Sequence, residues 1–147
     1  MKLSTKARYG TRAMLSLALD YGRGPIPLKE VAEQQEISEK YLEHLMASLR
    51  SAGLVRSVRG THGGYLLAKS PSQIRLDEVV RVLEGSIAPV ECVDDASLCG
   101  RVGLCVTRDV WGELKEAMES VLASTTLQDL VERQKEKEQS EGTMYHI

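Results

Sequence analysis

Apolar residues in the first third of the chain recur at the three- and four-residue spacing of amphipathic helices. This pattern predicts helices over about residues 4–21 and 28–34, and a third helix that follows Ser38 and ends at Gly53. Ser38 is a favourable N-cap, because its hydroxyl can accept a hydrogen bond from a backbone N–H group of the first turn. The second and third helices, joined by a short turn, predict a helix-turn-helix at about residues 28–51.

The next segment has the pattern of a β-hairpin. Strand-like runs at 54–58 and 65–68 flank the glycine-rich stretch 59–64, in which glycines permit a tight turn. A further amphipathic helix follows and ends at Gly85. The predicted fold class is therefore mainly α with a small β-hairpin wing, a winged helix-turn-helix over about residues 1–84.

The outer face of the predicted third helix supplies candidate DNA contacts. Its apolar residues must face inward, so Ser38, Lys40, Tyr41 and Glu43 are expected at the major groove. Ser38 and Tyr41 would contact phosphates, whereas Glu43 can accept a hydrogen bond from cytosine N4. Arg59, at the base of the wing, is expected in the minor groove, where a negative potential attracts guanidinium groups.

The second half of the chain contains a long apolar stripe. Its members recur at helical intervals from Val106 to Leu122, and a winged helix is too small to cover a stripe of this length. We therefore predict a dimerisation helix at about 106–123 and a homodimer. Thr126 and Asp129 resemble a capping box that starts a final helix, whereas the charged composition of 132–147 predicts a disordered tail.

Charge is distributed unevenly between the two halves of the 147-residue chain. Residues 1–70 contain 11 Lys and Arg against 6 Asp and Glu, whereas residues 71–147 contain 8 against 15. Only the first half therefore suits a polyanion such as double-stranded DNA. The sequence has no long apolar run, which predicts no secretory signal, no membrane span and a cytoplasmic protein.

Three cysteines, Cys92, Cys99 and Cys105, lie in one loop at about residues 91–106. Thiolates are soft ligands that select iron–sulfur clusters, zinc or copper(I), and structural disulfides are rare in a reducing cytosol. The C-x6-C-x5-C spacing has no CxxC pair and no neighbouring histidine, which weakens the case for structural zinc. A cluster, a zinc ion and free thiols all remain open on the residues alone.

Several segments resemble the Rrf2 family of bacterial transcription regulators. They are the opening MKLSTKARYG, the run SEKYLEHLMASLRSAGLVRSVRG, the GGYLLAK wing, the three-cysteine loop and TLQDLVERQ. The likeness is strongest to the iron–sulfur branch of the IscR type, with NsrR and RirA types as siblings. The resemblance implies one regulator domain over residues 1–131, a winged-helix homodimer bound to a DNA operator and repression of cluster-assembly genes. It also implies an iron–sulfur cluster on the three cysteines, with 2Fe–2S favoured over 4Fe–4S.

The chain departs from these relatives at the expected fourth ligand. The resemblance to IscR-type regulators implies a histidine as fourth ligand, three residues after the last cysteine. This chain has Arg108 at that position. In NsrR-type relatives an acidic residue on the first helix of the partner subunit is the fourth ligand, and the matching residue in this chain is Arg8. Arginine cannot ligate a metal. The remaining candidates near the loop or across a dimer are Asp94, Asp95, Asp109, Glu43 and His44, or a ligand that is not part of the protein.

Other functions are compatible with parts of this pattern. The same cysteines could serve a nitric-oxide- or iron-responsive regulator of the family, and a winged helix could bind DNA without a cluster. A thiol oxidoreductase is disfavoured, because the sequence has no CxxC motif, no paired catalytic histidine and no carboxylate dyad.

Overall fold

The fold consists of a helical body, one β-hairpin and a long C-terminal pair of helices. The computed structural model describes the backbone of residues 2–145 and the side chains of residues 2–142. Three short 3-10 turns, Pro71–Gln73, Glu91–Val93 and Ala96–Leu98, lie between the larger elements. In chain order those elements are α1 (Thr5–Leu19), α2 (Leu28–Gln35), α3 (Glu39–Ser51), β1 (Val55–Val58), β2 (Gly64–Leu67), α4 (Leu76–Glu84), α5 (Val106–Ala123) and α6 (Leu127–Tyr145).

Local signals in the sequence start three of these helices. The Ser4 hydroxyl accepts a hydrogen bond from the backbone N–H of Ala7 at 3.1 Å and caps α1. The predicted capping box at α6 is confirmed: Thr126 N–H donates to the Asp129 carboxylate at 2.9 Å, and Asp129 N–H donates to the Thr126 hydroxyl at 3.1 Å. These two bonds hold the pKa of Asp129 below its usual value. The third case, Ser38 at α3, belongs to the candidate site.

Helix α1 lies at the centre of the core and contacts α2, α3, α4, α6 and β2. Its buried face carries small residues together with two large side chains, Met14 and Leu17. Gly10 allows a close approach to α4, because a Cβ at this position would lie 2.0 Å from Leu83 Cδ1. The spacing of apolar residues does not reveal the packing role of Gly10, because that role depends on Leu83, which lies 73 residues away in the chain.

The hairpin is anchored to the body by a contact that the sequence pattern does not reveal. Strands β1 and β2 pair antiparallel, with Val55 opposite Leu67. Ile26 and Tyr65 then exchange two backbone hydrogen bonds of 2.8 Å, which join β2 to the loop before α2. Gly64 permits this contact, because a Cβ there would lie 2.2 Å from the Ile26 carbonyl oxygen. The predicted fold class, mainly α with a hairpin wing, is confirmed.

Helix α6 returns to the winged helix and completes its core. Leu127 and Val131 are buried in the main cluster, and Leu127 N–H donates to the Ile74 carbonyl at 2.9 Å. The prediction of a disordered tail is wrong for residues 132–145, which continue α6. Glutamine, glutamate and lysine are good helix formers. Hydrogen bonds between side chains four residues apart also support the helix, such as that from Gln134 to Glu138 at 2.9 Å. Residues 146 and 147 lie outside the described residues.

No helix within residues 2–145 is long and apolar enough to cross a membrane.

Because α6 inserts one large side chain into the core, Leu127→Ala should destabilise the whole winged helix. Leu127 is 0% exposed, and such a truncation costs about 2 to 5 kcal/mol of unfolding free energy. Leu104→Ala removes the same atoms from a side chain that is 93% exposed, so it should change that free energy by less than about 0.5 kcal/mol. Urea unfolding measures the unfolding free energy of both variants. If Leu127→Ala were as stable as Leu104→Ala, α6 would not be docked on the core.

Candidate DNA interface and cysteine loop

The predicted recognition residues lie on the first two turns of α3. Ser38 is the N-cap, and its hydroxyl oxygen accepts the backbone N–H of Tyr41 at 3.2 Å. The hydroxyl proton of Ser38 therefore stays available for a phosphate. Lys40 and Glu43 are exposed, whereas Leu42 is fully buried between them. The helix thus presents polar side chains outward, as its periodicity predicts, and their DNA contacts stay a prediction.

A polar clamp from α1 holds the turn that precedes α3. The Arg12 guanidinium donates to both the backbone and the side-chain oxygen of Gln35, at the end of α2, and Gln35 donates to Ser16. Arg12 also lies over the Tyr9 ring, 5.3 Å from its centroid. Tyr9 in turn meets Tyr41 edge to face, with centroids 6.1 Å apart. Tyr41, predicted as a phosphate contact, therefore also fixes α3 against α1.

Sequence reasoning missed this clamp. Arg12 and Gln35 are 23 residues apart, and no periodicity links them. A polar pair on two neighbouring helices has no signature in a single sequence.

The wing is tied to the recognition helix by one side-chain contact. Arg50, near the end of α3, donates to the Ser57 hydroxyl of β1 at 3.2 Å. Arg59 follows β1 directly and is exposed. Gly60 has a φ of 108°, which permits the turn that carries the wing tip. Arg59 therefore lies in the loop that joins the two strands rather than at the base of the wing as predicted, and its contact with the minor groove stays a prediction.

The three cysteines occupy the irregular segment between α4 and α5. Cys92 lies in the turn Glu91–Val93, Cys99 follows the turn Ala96–Leu98, and Cys105 is the N-cap of α5. All three thiols are free; Cys92 and Cys105 are half-buried and Cys99 is exposed. The side chains that the structure describes contain no group of three or more His, Cys, Asp or Glu placed to hold a metal ion. A shared site would require the loop to rearrange.

Cys105 has the most distinctive thiol environment of the three. Its Sγ lies 3.2 Å from the Thr107 hydroxyl. That hydroxyl lowers the pKa of the Cys105 thiol below its usual value, and the backbone amide of Arg108 adds to the effect. The negative charge of Asp109 opposes it. The start of α5 therefore favours the thiolate, which is the form that binds soft metals.

Two basic residues of α5 reach back to the cysteine loop. Arg108 Nε donates to the backbone carbonyl of Cys92 at 3.0 Å. Lys115 Nζ lies 2.8 Å from Asp94 Oδ1, and the other Asp94 oxygen accepts the Ser86 hydroxyl. The hydrogen bond from Lys115 is the main reason that the pKa of Asp94 lies below its usual value, and the hydrogen bond from Ser86 lowers it further. The first turn of the loop is therefore bound to α5.

The candidate fourth ligands are spread over three parts of the fold. Asp94 is paired with Lys115, and Asp95 accepts the Ser97 backbone N–H at 3.0 Å. Asp109 lies in the first turn of α5 and is exposed. Glu43 and His44 are exposed on α3. None of the five is grouped with two cysteines among the described side chains, so each stays a prediction.

Arg8, at the position where NsrR-type regulators have an acid, is exposed on α1. It donates to the Thr5 hydroxyl at 3.4 Å. This contact lies within α1, and arginine has no lone pair with which to bind a metal.

One face of α5 is apolar and uncovered. Val106 and Val121 are 74% and 65% exposed, and Val110 and Trp111 are also exposed. Helix α5 contributes no fully buried residue. Exposed apolar faces of this kind are typical of surfaces that bind a partner, and the dimer on this face stays a prediction.

Residues 3–133 match the family described as Rrf2, iron-dependent transcriptional regulator. The HTH-type transcriptional regulator CymR of Bacillus subtilis is 45% identical over 130 residues, which cover 88% of this chain and 89% of CymR. The structure of that protein, described as the global cysteine regulator of B. subtilis, superposes with a TM-score of 0.78 and covers 90% of this chain and 98% of CymR.

IscR proteins are similar to the chain to a comparable degree. IscR of Klebsiella pneumoniae is 41% identical over 134 residues, which cover 91% of this chain and 82% of IscR. The structure of T. potens IscR is 44% identical, has a TM-score of 0.80 and covers 99% of this chain and 96% of that protein. All of these relatives are similar over nearly the whole fold, and the named ones are transcriptional regulators rather than enzymes.

If Glu43 reads cytosine, Glu43→Ala should broaden the set of DNA sequences bound without weakening non-specific binding. A good base contact discriminates by about 1 to 3 kcal/mol, so preference at one operator position should fall by at least about fivefold. Glu116→Ala, an exposed acid on α5, is the matched control. A binding selection on randomised DNA measures both variants, and an unchanged preference would remove Glu43 from the readout.

Proposed function

The chain belongs to the Rrf2 family of transcriptional regulators, and on this premise we propose that it binds an operator as a homodimer under the control of an iron–sulfur cluster. The cluster would be held by Cys92, Cys99 and Cys105, with 2Fe–2S favoured. One observation carries the proposal: three thiols lie within fourteen residues, and the last of them is the N-cap of the helix with the uncovered apolar face.

The DNA-binding part of the proposal is supported by the exposed residues of α3 and the wing. Rrf2 regulators bind DNA, and this chain has Ser38, Lys40 and Glu43 exposed at the start of α3, with Tyr41 half-buried among them and Arg59 exposed on the wing. A symmetric dimer would place two such helices on successive major grooves. We propose repression as its mode of action, since an operator-bound dimer blocks access to a promoter.

The donor set fits a cluster although the loop is not preformed around one. Three thiols are the soft ligands that iron–sulfur clusters require, and Cys105 has an environment that favours its thiolate. Among the described residues, the hydrogen bonds around Cys99 stay within residues 91–104, so no such bond ties this part of the loop to a helix. The fourth ligand would be one of the carboxylates or His44, or a small molecule.

When bound, a cluster would supply a redox-sensitive crosslink between three points of the loop. The chain itself supplies the transmission from that loop. Cys105 is continuous with α5, and the loop begins at Gly85, where α4 ends. Helix α4 packs on both α1 and α3. Ordering of the loop would therefore bias the position of α5, and with it the spacing of two recognition helices in a dimer.

A second candidate is regulation of cysteine metabolism without a cluster. The similarity to B. subtilis CymR, described as a global cysteine regulator, favours it. The free state of all three thiols is compatible with this candidate as well.

Anaerobic purification from iron-replete cells separates the two candidates. A cluster-binding regulator should be coloured and contain iron and acid-labile sulfide, and Mössbauer spectra give the number of irons. DNA binding should then differ between cluster-bound and cluster-free protein. A colourless protein without iron, which binds its operator equally well before and after reconstitution, would contradict cluster control and leave the cysteine-metabolism candidate.

Replacement of any one of the three cysteines with alanine should abolish the visible absorption bands and leave the fold intact. The thiols lie outside the buried core, so the unfolding free energy should change by less than about 0.5 kcal/mol. Ser97→Ala, in the same loop, should keep the bands. Absorption spectra and urea unfolding measure the two effects, and a cysteine variant that retains full colour would exclude that residue as a ligand.

If α5 forms the dimer seam, Val110→Glu should produce monomers. Val110 is 52% exposed within one chain, so the added charge leaves the monomer fold unstrained but would be buried between two copies. Ser140→Glu adds the same charge to an exposed part of α6 and should leave the dimer intact. Sedimentation equilibrium distinguishes the outcomes; dimers of both variants at equal affinity would place the interface elsewhere.

A further inference from the structure

We propose that Arg108 is a positioning residue that holds the Cys92 turn against the first turn of α5, the helix that Cys105 caps, and leaves Cys99 as the thiol that must move to complete a three-cysteine site. The proposal deepens the proposed function, because it assumes that these three thiols act together. It also assigns a role to the arginine that occupies the position of the IscR-type histidine.

The first observation is the contact between Arg108 and the cysteine loop. Arg108 lies three residues after Cys105, in the first turn of α5, and its Nε donates to the Cys92 carbonyl oxygen at 3.0 Å. The bond is partly buried and joins residues 16 positions apart. A planar guanidinium is well suited to hold a carbonyl in this way, although it cannot ligate a metal. The residue therefore links the segments of two cysteines.

The second observation is that another bond from α5 holds the same turn. Lys115 lies seven residues after Arg108, on the same side of the helix, and pairs with Asp94 at 2.8 Å. Asp94 also accepts the Ser86 hydroxyl. Cys92 thus lies in a turn that α5 holds at two points, one through the backbone and one through a carboxylate.

The third observation is the contrast with Cys99. Cys99 is exposed, and the hydrogen bonds of its neighbourhood, within the described residues, are local: Asp95 to Ser97, Cys99 to Val102 and Arg101 to Leu104. No bond to α5 restrains this segment in the part of the chain that the structure describes. Two thiols are therefore positioned by α5, and the third depends on the free part of the loop.

This division assigns different tasks to the two ends of the loop. The Arg108 bond keeps the Cys92 turn close to the first turn of α5, which reduces the conformational entropy that must be lost when a shared ligand is bound. Cys99 can approach such a ligand last, because its segment makes only local bonds. Removal of the Arg108 side chain should loosen the Cys92 turn, which Lys115 still holds through Asp94, without directly altering Cys99.

Alkylation of each thiol in reduced, metal-free protein tests this directly. Arg108→Ala should raise the rate of Cys92 alkylation by iodoacetamide by about fivefold, the factor expected for loss of one ordinary hydrogen bond. The rate at Cys99 should stay within about twofold of the wild-type rate, since no bond to it is removed. Peptide mass spectrometry resolves the three sites, and Arg108→Gln, which keeps a donor, should give an intermediate rate at Cys92.

Arg101→Ala is the matched control. Arg101 is an exposed arginine of the same loop, and its side chain has no contact with Cys92 among the described hydrogen bonds and ion pairs. Loss of a nearby positive charge alone makes a thiol less acidic and slows its alkylation. A faster rate in Arg108→Ala but not in Arg101→Ala therefore supports positioning. An unchanged or slower rate at Cys92 in Arg108→Ala would overturn the proposal.

Reconstitution separates this inference from the proposed function. With iron and sulfide added anaerobically, Arg108→Ala should acquire visible absorption several-fold more slowly than wild type, whereas Arg101→Ala should match wild type. If wild type acquires no absorption, the cluster proposal fails while the alkylation result still decides the role of Arg108. If both arginine variants match wild type in alkylation and reconstitution, Arg108 has no positioning role.

Discussion

The architecture depends on the burial of one face of α1. This helix contacts α2, α3, α4, α6 and the second strand of the wing, so each element that would touch DNA is packed on it directly or through one neighbour. Gly10 makes the packing against α4 close enough for Leu83 to occupy the space where a Cβ would lie. Because protein interiors are close-packed, a shift of α4 is transmitted to α1 rather than absorbed.

The same constraint connects the candidate DNA interface to the cysteine loop. Helix α4 contacts α1, α3 and α5, and the loop runs between its end at Gly85 and the start of α5. The recognition helix is further held by the Arg12 clamp, which fixes the turn before it. A regulator needs such a rigid path, since a ligand can alter DNA binding only if two states of the loop correspond to two placements of the reading helices.

The cysteine loop is held to the rest of the fold mainly at its first turn, through Arg108 and Lys115 of α5. Its described residues contribute nothing to the buried core, and its hydrogen bonds and ion pairs with α5 are those of Arg108 and Lys115. Hydrogen bonds at a partly exposed site contribute little net stability each, so this segment can rearrange at low cost. That property suits a sensing site, for which ligand binding must compete with an alternative arrangement of similar free energy.

Helix positions, their caps, the hairpin and the outward-facing residues of α3 could be predicted from the sequence, because they depend on periodicity and on bonds spanning three or four residues. Ser38 and the Thr126–Asp129 box are examples. The helical continuation of α6 was missed, since a charged composition favours disorder unless pairs such as Gln134 and Glu138 support a helix already anchored at Leu127.

Only the tertiary structure decided which distant residues meet. The bridge between Ile26 and Tyr65, the clamp of Arg12 on Gln35 and the bond of Arg108 to Cys92 join positions 16 to 39 residues apart. Sequence spacing identifies three cysteines and an arginine where a histidine was expected. It does not reveal that the arginine holds one of those cysteines, because that contact is set by how α5 packs beside the loop.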